Sequence, residues 1–242
     1  MRTFLATISL FFCSQAAADV QAIVTDIEGT TTSISFVHDV LFPYARQNMQ
    51  QFVLQNQANP IVAQALSDVR TLMNNPQADI YAVIATLDGW MDADKKITPL
   101  KTLQGLLWED GYVQGAFQGH VYDDAYVQLQ NWYSSNLPLY VYSSGSVYAQ
   151  KLLFSHSTFG DMTPLFAGNF DTRVGSKREA ASYQAIAQQI GLPAQSILFL
   201  SDTVEELDAA AIAGMQTVLV NRSGAPISSS YPTVTNFYQI QF

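Results

Sequence analysis

Asp26 and Glu28 stand two residues apart in Asp26-Ile27-Glu28-Gly29-Thr30-Thr31-Thr32, directly after the β-branched run Val20–Thr25. Side chains so spaced can both reach one pocket across an irregular turn, and Gly29 lets the backbone turn tightly. Two carboxylates without His or Cys suit a hard, oxygen-ligated ion such as Mg2+. Further on, Ser143-Ser144-Gly145-Ser146 leads into a helix expected to begin near Val147. Free backbone N–H groups at such a helix start make an anion site. Lys177 closes Asp171–Lys177, just ahead of a helix expected from about Arg178 to Ile190, and Asp202 follows Ser201 with Glu205 and Glu206 close behind. Carboxylates, hydroxyls, helix N–H groups and one ammonium together read as phosphoryl transfer through an aspartyl-phosphate. Uncatalysed phosphate-monoester hydrolysis is so slow that acceleration can approach ~10²¹-fold. The complete set therefore carries the argument, not any one member.

Strands must deliver these groups. Val20–Thr25, Leu137–Tyr142, Ser196–Leu200 and Thr217–Val220 are short apolar runs, each followed by a polar or turn-forming residue. Continuous apolar strands separated by helices indicate a parallel sheet covered on both faces, and ligands of such sheets bind beyond the carboxyl ends of the strands. Three of the four strand ends carry the polar set. The expected fold is α/β, with a Rossmann-like parallel sheet as its core and a helical cap inserted after the first strand.

The insertion is read from residues 36–135. Apolar spacing of period 3.6 recurs at Ile61, Ala65, Val69 and Leu72, and again at Leu100, Leu103, Leu106 and Leu107. Asn59-Pro60, Asn75-Pro76 and Thr98-Pro99 look like helix starts, with Pro in the first turn. The core is then residues 19–35 and 136–242, with a last strand expected at Phe237–Ile240. Trp90, Trp108 and Trp132 are expected to pack the cap, Trp108 with a possible face on the pocket. His38, His120 and His156 match no metal spacing.

Composition excludes several partners. The chain of 242 residues has 11 Lys+Arg against 20 Asp+Glu, a formal charge of -9. A sequence-independent grip on nucleic acid needs clustered Lys and Arg, and no cluster here exceeds a neighbouring pair. The same sparseness argues against an anionic membrane surface. Charged residues are 13% of the chain, against ~25% for an average globular protein, so each one in an apolar setting is notable. Residues 1–18 combine Arg2, an apolar run Phe4–Cys13 and an Ala16-Ala17-Ala18 ending. That pattern is the pattern of a secretory signal, and its cleavage would remove Cys13, the one cysteine.

At these residues the sequence resembles the haloacid-dehalogenase-like phosphatases, whose pattern is Asp-x-Asp after strand one, Ser/Thr after strand two, a Lys and an acidic pair. Glu28 replaces the commoner second Asp. Asp-Ile-Glu-Gly-Thr-Thr-Thr is similar to enolase-phosphatase, the acireductone synthase of methionine salvage. So are Phe36–Tyr44, Leu103–Trp108, Tyr140–Phe154 and Gly168–Thr172. The likeness spans about residues 20–222. It implies Asp26 as nucleophile and Mg2+ ligand, and Glu28 as general acid/base with its carbonyl on the metal. Ser143 and Ser144 would hold the substrate phosphate, Lys177 would neutralise it, and Asp202 would be a further metal ligand. Glu206 would position Lys177 or metal waters. One Mg2+ per subunit, a monomer and a small phosphorylated diketone substrate follow from the same resemblance. His38 departs from the Lys expected there. The family works in the cytoplasm, which conflicts with the export signal. Three other readings stand beside it: a phosphatase for another small phosphomonoester, a phospho-accepting receiver, and a non-catalytic phosphoester binder.

Overall fold

The computed structural model describes residues 18–242. The expected export signal, all but its last residue, and Cys13 with it lie outside the described residues.

Six parallel strands form one sheet in the order β3-β2-β1-β4-β5-β6. They are β1 (Ala22–Thr25), β2 (Leu139–Tyr142), β3 (Phe166–Phe170), β4 (Ile197–Ser201), β5 (Gln216–Val220) and β6 (Thr233–Val234). Every residue of β1 and β4 is buried, as expected when both faces are covered. Alternation along the strands sends Ile23, Leu139, Val141, Leu198 and Leu200 to one apolar cluster. Ala22, Val24, Tyr142, Ile197 and Phe199 go to the other. Strand order reverses beside β1, so the crevice above its carboxyl end is the natural ligand site of this topology.

Among the described residues, nine α-helices and one π-helical stretch make up the main helical elements. A run after β1 comprises α1 (Ile34–Phe36), a π-helical stretch Val37–Leu41 and α2 (Phe42–Asn56). Then follow α3 (Pro60–Leu72), α4 (Ile80–Asp92), α5 (Thr98–Val113) and α6 (Asp123–Ser134). After β2 come α7 (Val147–Ser155), α8 (Ala180–Ile190) and α9 (Val204–Ile212). Met49, Leu66, Leu87, Leu103 and their neighbours from α2–α5 form a third apolar cluster without any strand residue. Helix starts follow local chemistry. Asn59 accepts from the Ile61 and Val62 amides ahead of α3, and Asp79 accepts from the Ala82 amide ahead of α4.

Four readings of the sequence need correction. The Asn75-Pro76 break does not open a helix, because α4 waits for its Asp79 cap. Phe237–Ile240 is not a strand: Phe237–Gln239 is a 3-10 turn, and the last strand is β6. β3 was not read, because Gly168 and Asn169 interrupt its apolar pattern and none of its residues is fully buried. Finally, α6 falls within 36–135 but packs on the sheet: its Ala125, Leu129 and Trp132 join Ile23 and Leu139. Trp132 lies 5.8 Å from the Phe237 ring, so it packs the sheet side and not the helical insert.

Candidate active site

The β1 carboxyl end bends at once into a tight loop. The amides of Thr30, Thr31 and Thr32 all donate to the Ile27 carbonyl, and the Gly29 amide donates to Thr32. Gly29 takes φ 79, a left-handed conformation open to glycine at no steric cost. A Cβ there would lie 2.0 Å from Asp202 Oδ2. Loop and β4 end thus meet only because residue 29 has no side chain, and Asp26 and Asp202 are brought onto the same crevice.

Asp26 is 3% exposed. Its Oδ1 receives Lys177 Nζ at 2.5 Å and its Oδ2 receives Thr30 Oγ1 at 3.3 Å. Thr30 Oγ1 in turn accepts from the Asp202 amide at 3.0 Å. Lys177 also meets Glu206 Oε2 at 2.6 Å. Ser201 Oγ donates to the same Glu206 carboxylate at 2.9 Å. The Lys177 backbone is pinned by Tyr183, whose hydroxyl donates to its carbonyl at 2.7 Å. Ser143 Oγ donates to the Glu28 carboxylate at 3.0 and 3.2 Å and accepts from the Gly145 amide. Ser144 lines the crevice, and its carbonyl takes a hydrogen bond from Lys101 of α5 at 3.0 Å.

Four carboxyl groups, Asp26, Glu28, Asp202 and Glu206, crowd around one buried ammonium. The electrostatic consequence is direct. Burial and then Asp26 push Glu28 up, Asp202 up to about 6 and Glu206 up to about 7. Burial opposes charge on Lys177, yet Asp26 and Glu206 hold its pKa above that of an ordinary lysine. Such a surplus of oxygen donors calls for a cation. Among the described residues no three acidic, His or Cys side chains converge as a metal cage. Mg2+ takes one or two carboxylates and completes its shell with water and substrate phosphate. The donor set fits, with Asp26 and Asp202 as the carboxylates that would hold it.

The crevice opens into a cavity of about 670 Å³ whose far wall comes from the insert: Val37, Leu41, Phe42, Trp90, Trp108 and Tyr112 among others. Trp108 is fixed by its indole N–H to the Leu41 carbonyl at 2.9 Å, and stacks on Phe42 at 6.4 Å. The π-helical stretch re-aims Val37 and Leu41 toward the cavity, a frequent use of such bulges. Tyr112 brings a buried hydroxyl without a hydrogen-bond partner. His38 lies at the cavity's edge. Lys95, Lys96, Lys101 and Lys177 all line this one cavity, four of the five lysines in the chain.

The pattern of the haloacid dehalogenase-like hydrolases matches residues 20–214. Enolase-phosphatase E1 of Erwinia tasmaniensis is 54% identical over 221 residues, 91% of this chain and 96% of that relative. The chain belongs to the enolase-phosphatase E1 family of haloacid dehalogenase-like hydrolases. Enolase-phosphatase E1 of Thioalkalivibrio sulfidiphilus is 55% identical over 84% of this chain and 90% of its own length. Among solved structures, the UTR4 protein of Saccharomyces cerevisiae superposes with a TM-score of 0.78 at 33% identity, covering 92% of this chain and 100% of that one. The protein is a phosphatase of this family.

All seven residues singled out in the sequence, Asp26, Glu28, Ser143, Ser144, Lys177, Asp202 and Glu206, line or adjoin one crevice. Sequence reasoning missed Thr30, Lys101 and Tyr112. Thr30 was visible within the first motif, but its bridge to Asp202 depends on how two strand ends approach. Lys101 carried one signal, a lysine among the leucines of α5 in a lysine-poor chain.

Proposed function

We propose that this enzyme, with Mg2+ bound, converts 2,3-diketo-5-methylthiopentyl 1-phosphate into the acireductone 1,2-dihydroxy-3-keto-5-methylthiopentene and phosphate, in methionine salvage. The observation that carries this reading is the Asp26–Glu28–Lys177–Asp202 set at the floor of a cavity with an apolar far wall. A phosphate fits the floor, and a methylthio chain fits the wall.

Enolisation comes first: Glu28, which is half-buried and raised in pKa, accepts a proton from C1. In dephosphorylation the Asp26 carboxylate attacks phosphorus. The P–O bond to the enol oxygen breaks, and Glu28 returns a proton to that leaving oxygen. Lys177, with Ser144 and the amides at the start of α7, neutralises the phosphoryl oxygens. Water assisted by Glu28 then hydrolyses the aspartyl-phosphate, restoring Asp26. Bound Mg2+ supplies Lewis-acid neutralisation of the transferring phosphoryl group. Ser143 serves chiefly to orient Glu28, to which its hydroxyl donates.

The π-helical stretch and α2–α5 are proposed to act as a cap, which on closing excludes water from the aspartyl-phosphate. The export reading of residues 1–18 is proposed alongside, and N-terminal sequencing of the native protein tests it: Asp19 first supports cleavage, Met1 or Arg2 refutes it.

Asp26→Asn should abolish turnover by about 10⁴-fold or more, as loss of a covalent nucleophile does, with the circular-dichroism spectrum retained. Turnover near wild type in that variant sinks the nucleophile assignment. A panel of phosphomonoesters tests the substrate, because the favoured one must yield an enolised product together with phosphate.

A further inference from the structure

Phosphoryl transfer uses Asp26, Lys177 and the Ser143–Ser144 loop, and leaves the enolisation without a group to hold charge on the ketone oxygen. The insert supplies one. Lys101 reaches from α5 to the Ser144 carbonyl at 3.0 Å and lines the cavity that Asp26 and Glu28 floor. Leu100, Leu103 and Leu107 bind α5 into the helical cluster. Lys101, Gln104 and Trp108, at spacings of three and four, share the face turned to the cavity.

The charge of Lys101 is uncommitted. Arg46 is tied to Asp88 and Asp92, and Lys177 to Asp26 and Glu206. Among the described residues Lys101 has no acidic partner within ion-pair distance, although it is half-buried. Burial lowers its pKa, which eases proton donation. Glu28 meets the same loop from the other side through Ser143 at 3.0 Å. A carboxyl group and an ammonium thus flank consecutive residues of the loop that would hold the phosphate. The substrate atoms next to that phosphate are C1, which must lose a proton, and C2, whose oxygen must gain one.

We propose that Lys101 is a catalytic residue of the enolisation, its ammonium binding the C2 carbonyl oxygen of the 2,3-diketo 1-phosphate. This rests on the substrate reading above. As the C1–H bond breaks, its proton passes to the Glu28 carboxylate and its electron pair forms the C1=C2 bond. The C2=O π pair moves onto oxygen, which takes a proton from Lys101, and solvent reprotonates the neutral amine. Because Lys101 belongs to the insert, this step requires insert and sheet to be closed on each other.

The test separates the two half-reactions in the Mg2+-loaded enzyme. Enolisation is read as deuterium exchange at C1 of the diketo phosphonate in which CH2 replaces the bridging ester oxygen, so that P–O cleavage is blocked. Dephosphorylation is read as phosphate release from p-nitrophenyl phosphate. Lys101→Gln is expected to slow exchange by about 10²-fold, the usual loss of one charge-stabilising donor. Phosphate release should fall far less, and Lys101→Arg, which keeps the charge but does not surrender a proton, should recover only part of the exchange. An equal fall in both readouts would make Lys101 a mere latch on the Ser144 carbonyl and overturn the proposal, as would unaltered exchange. Wild-type enzyme that releases phosphate without exchanging C1 protons would instead sink the enolase reading itself, and this step with it.

Discussion

On the sheet side of the cavity, Asp26, Lys177, Glu206, Ser201, Thr30 and Asp202 are joined by an unbroken chain of hydrogen bonds and ion pairs. On the insert side, Val37, Leu41, Phe42 and Trp108 meet the cavity as apolar surface, fixed by packing and by the single indole bond to Leu41. The difference teaches how the work is divided. A network of mutually fixed charges is preorganised for charge that develops in a transition state, which is where electrostatic catalysis is strongest. An apolar wall discriminates only modestly, by about 10–200-fold per methylene-sized difference. The sheet should therefore set the phosphoryl transfer, and the apolar part of the insert should set which phosphate ester undergoes it.

The comparison breaks most visibly at Gly29. Gly29→Ala places a methyl group on Asp202 and strains the left-handed backbone, at a cost of about 1–3 kcal/mol. Activity should fall by on the order of 10²-fold, with a higher Mg2+ requirement. Magnesium titrations of activity and urea melts check both, and unchanged Mg2+ dependence would detach Asp202 from the metal. On the other wall, Trp108→Leu should raise KM for the methylthio substrate by about tenfold and leave p-nitrophenyl phosphate nearly unaffected. Equal loss on both substrates would refute the division of labour.

A smaller effect concerns stability without metal. Asp202 and Glu206 have folded pKa values of about 6 and about 7, above the ordinary carboxylate range. Each holds its proton more tightly in the folded chain, so its contribution is complete in acid and disappears as pH rises through those values. Urea melts in chelator should accordingly show stability declining between about pH 4 and pH 7, with a flatter slope in Asp202→Asn. A steeper slope in that variant would contradict the assignment. The smallest effect is expected at the rim: Lys95→Gln with Lys96→Gln should lower kcat/KM about threefold at low salt and not at high salt. A loss that persists at high salt would mean that these lysines bind substrate directly.

The sheet half of the site was largely legible in the sequence. Strand ends are marked by the switch from apolar run to polar residue, as at Thr25-Asp26 and Leu200-Ser201-Asp202, and topology alone then gathers their side chains. The family resemblance also implies that Glu206 positions either Lys177 or metal waters. The insert half was legible only as helices. Its period-3.6 pattern locates α3 and α5, but the residues that face the cavity differ from those that face the helical core by one or two positions. Trp132 and α6 were misplaced for the same reason, since an amphipathic helix does not declare which apolar surface it will cover. β3 escaped because an edge strand with Gly168 and Asn169 carries too little apolar signal.

The gathering of Lys95, Lys96, Lys101 and Lys177 on one cavity leaves Lys151 as the only lysine elsewhere. In most proteins amine acylation scatters over the surface and says little about any one place. Here a generic acylating reagent reports on the cavity almost by default, with Lys151 as an internal reference for reagent strength. Peptide mapping of labelled protein with and without inorganic phosphate would read occupancy at Lys95, Lys96 and Lys101, without turnover and without a tag.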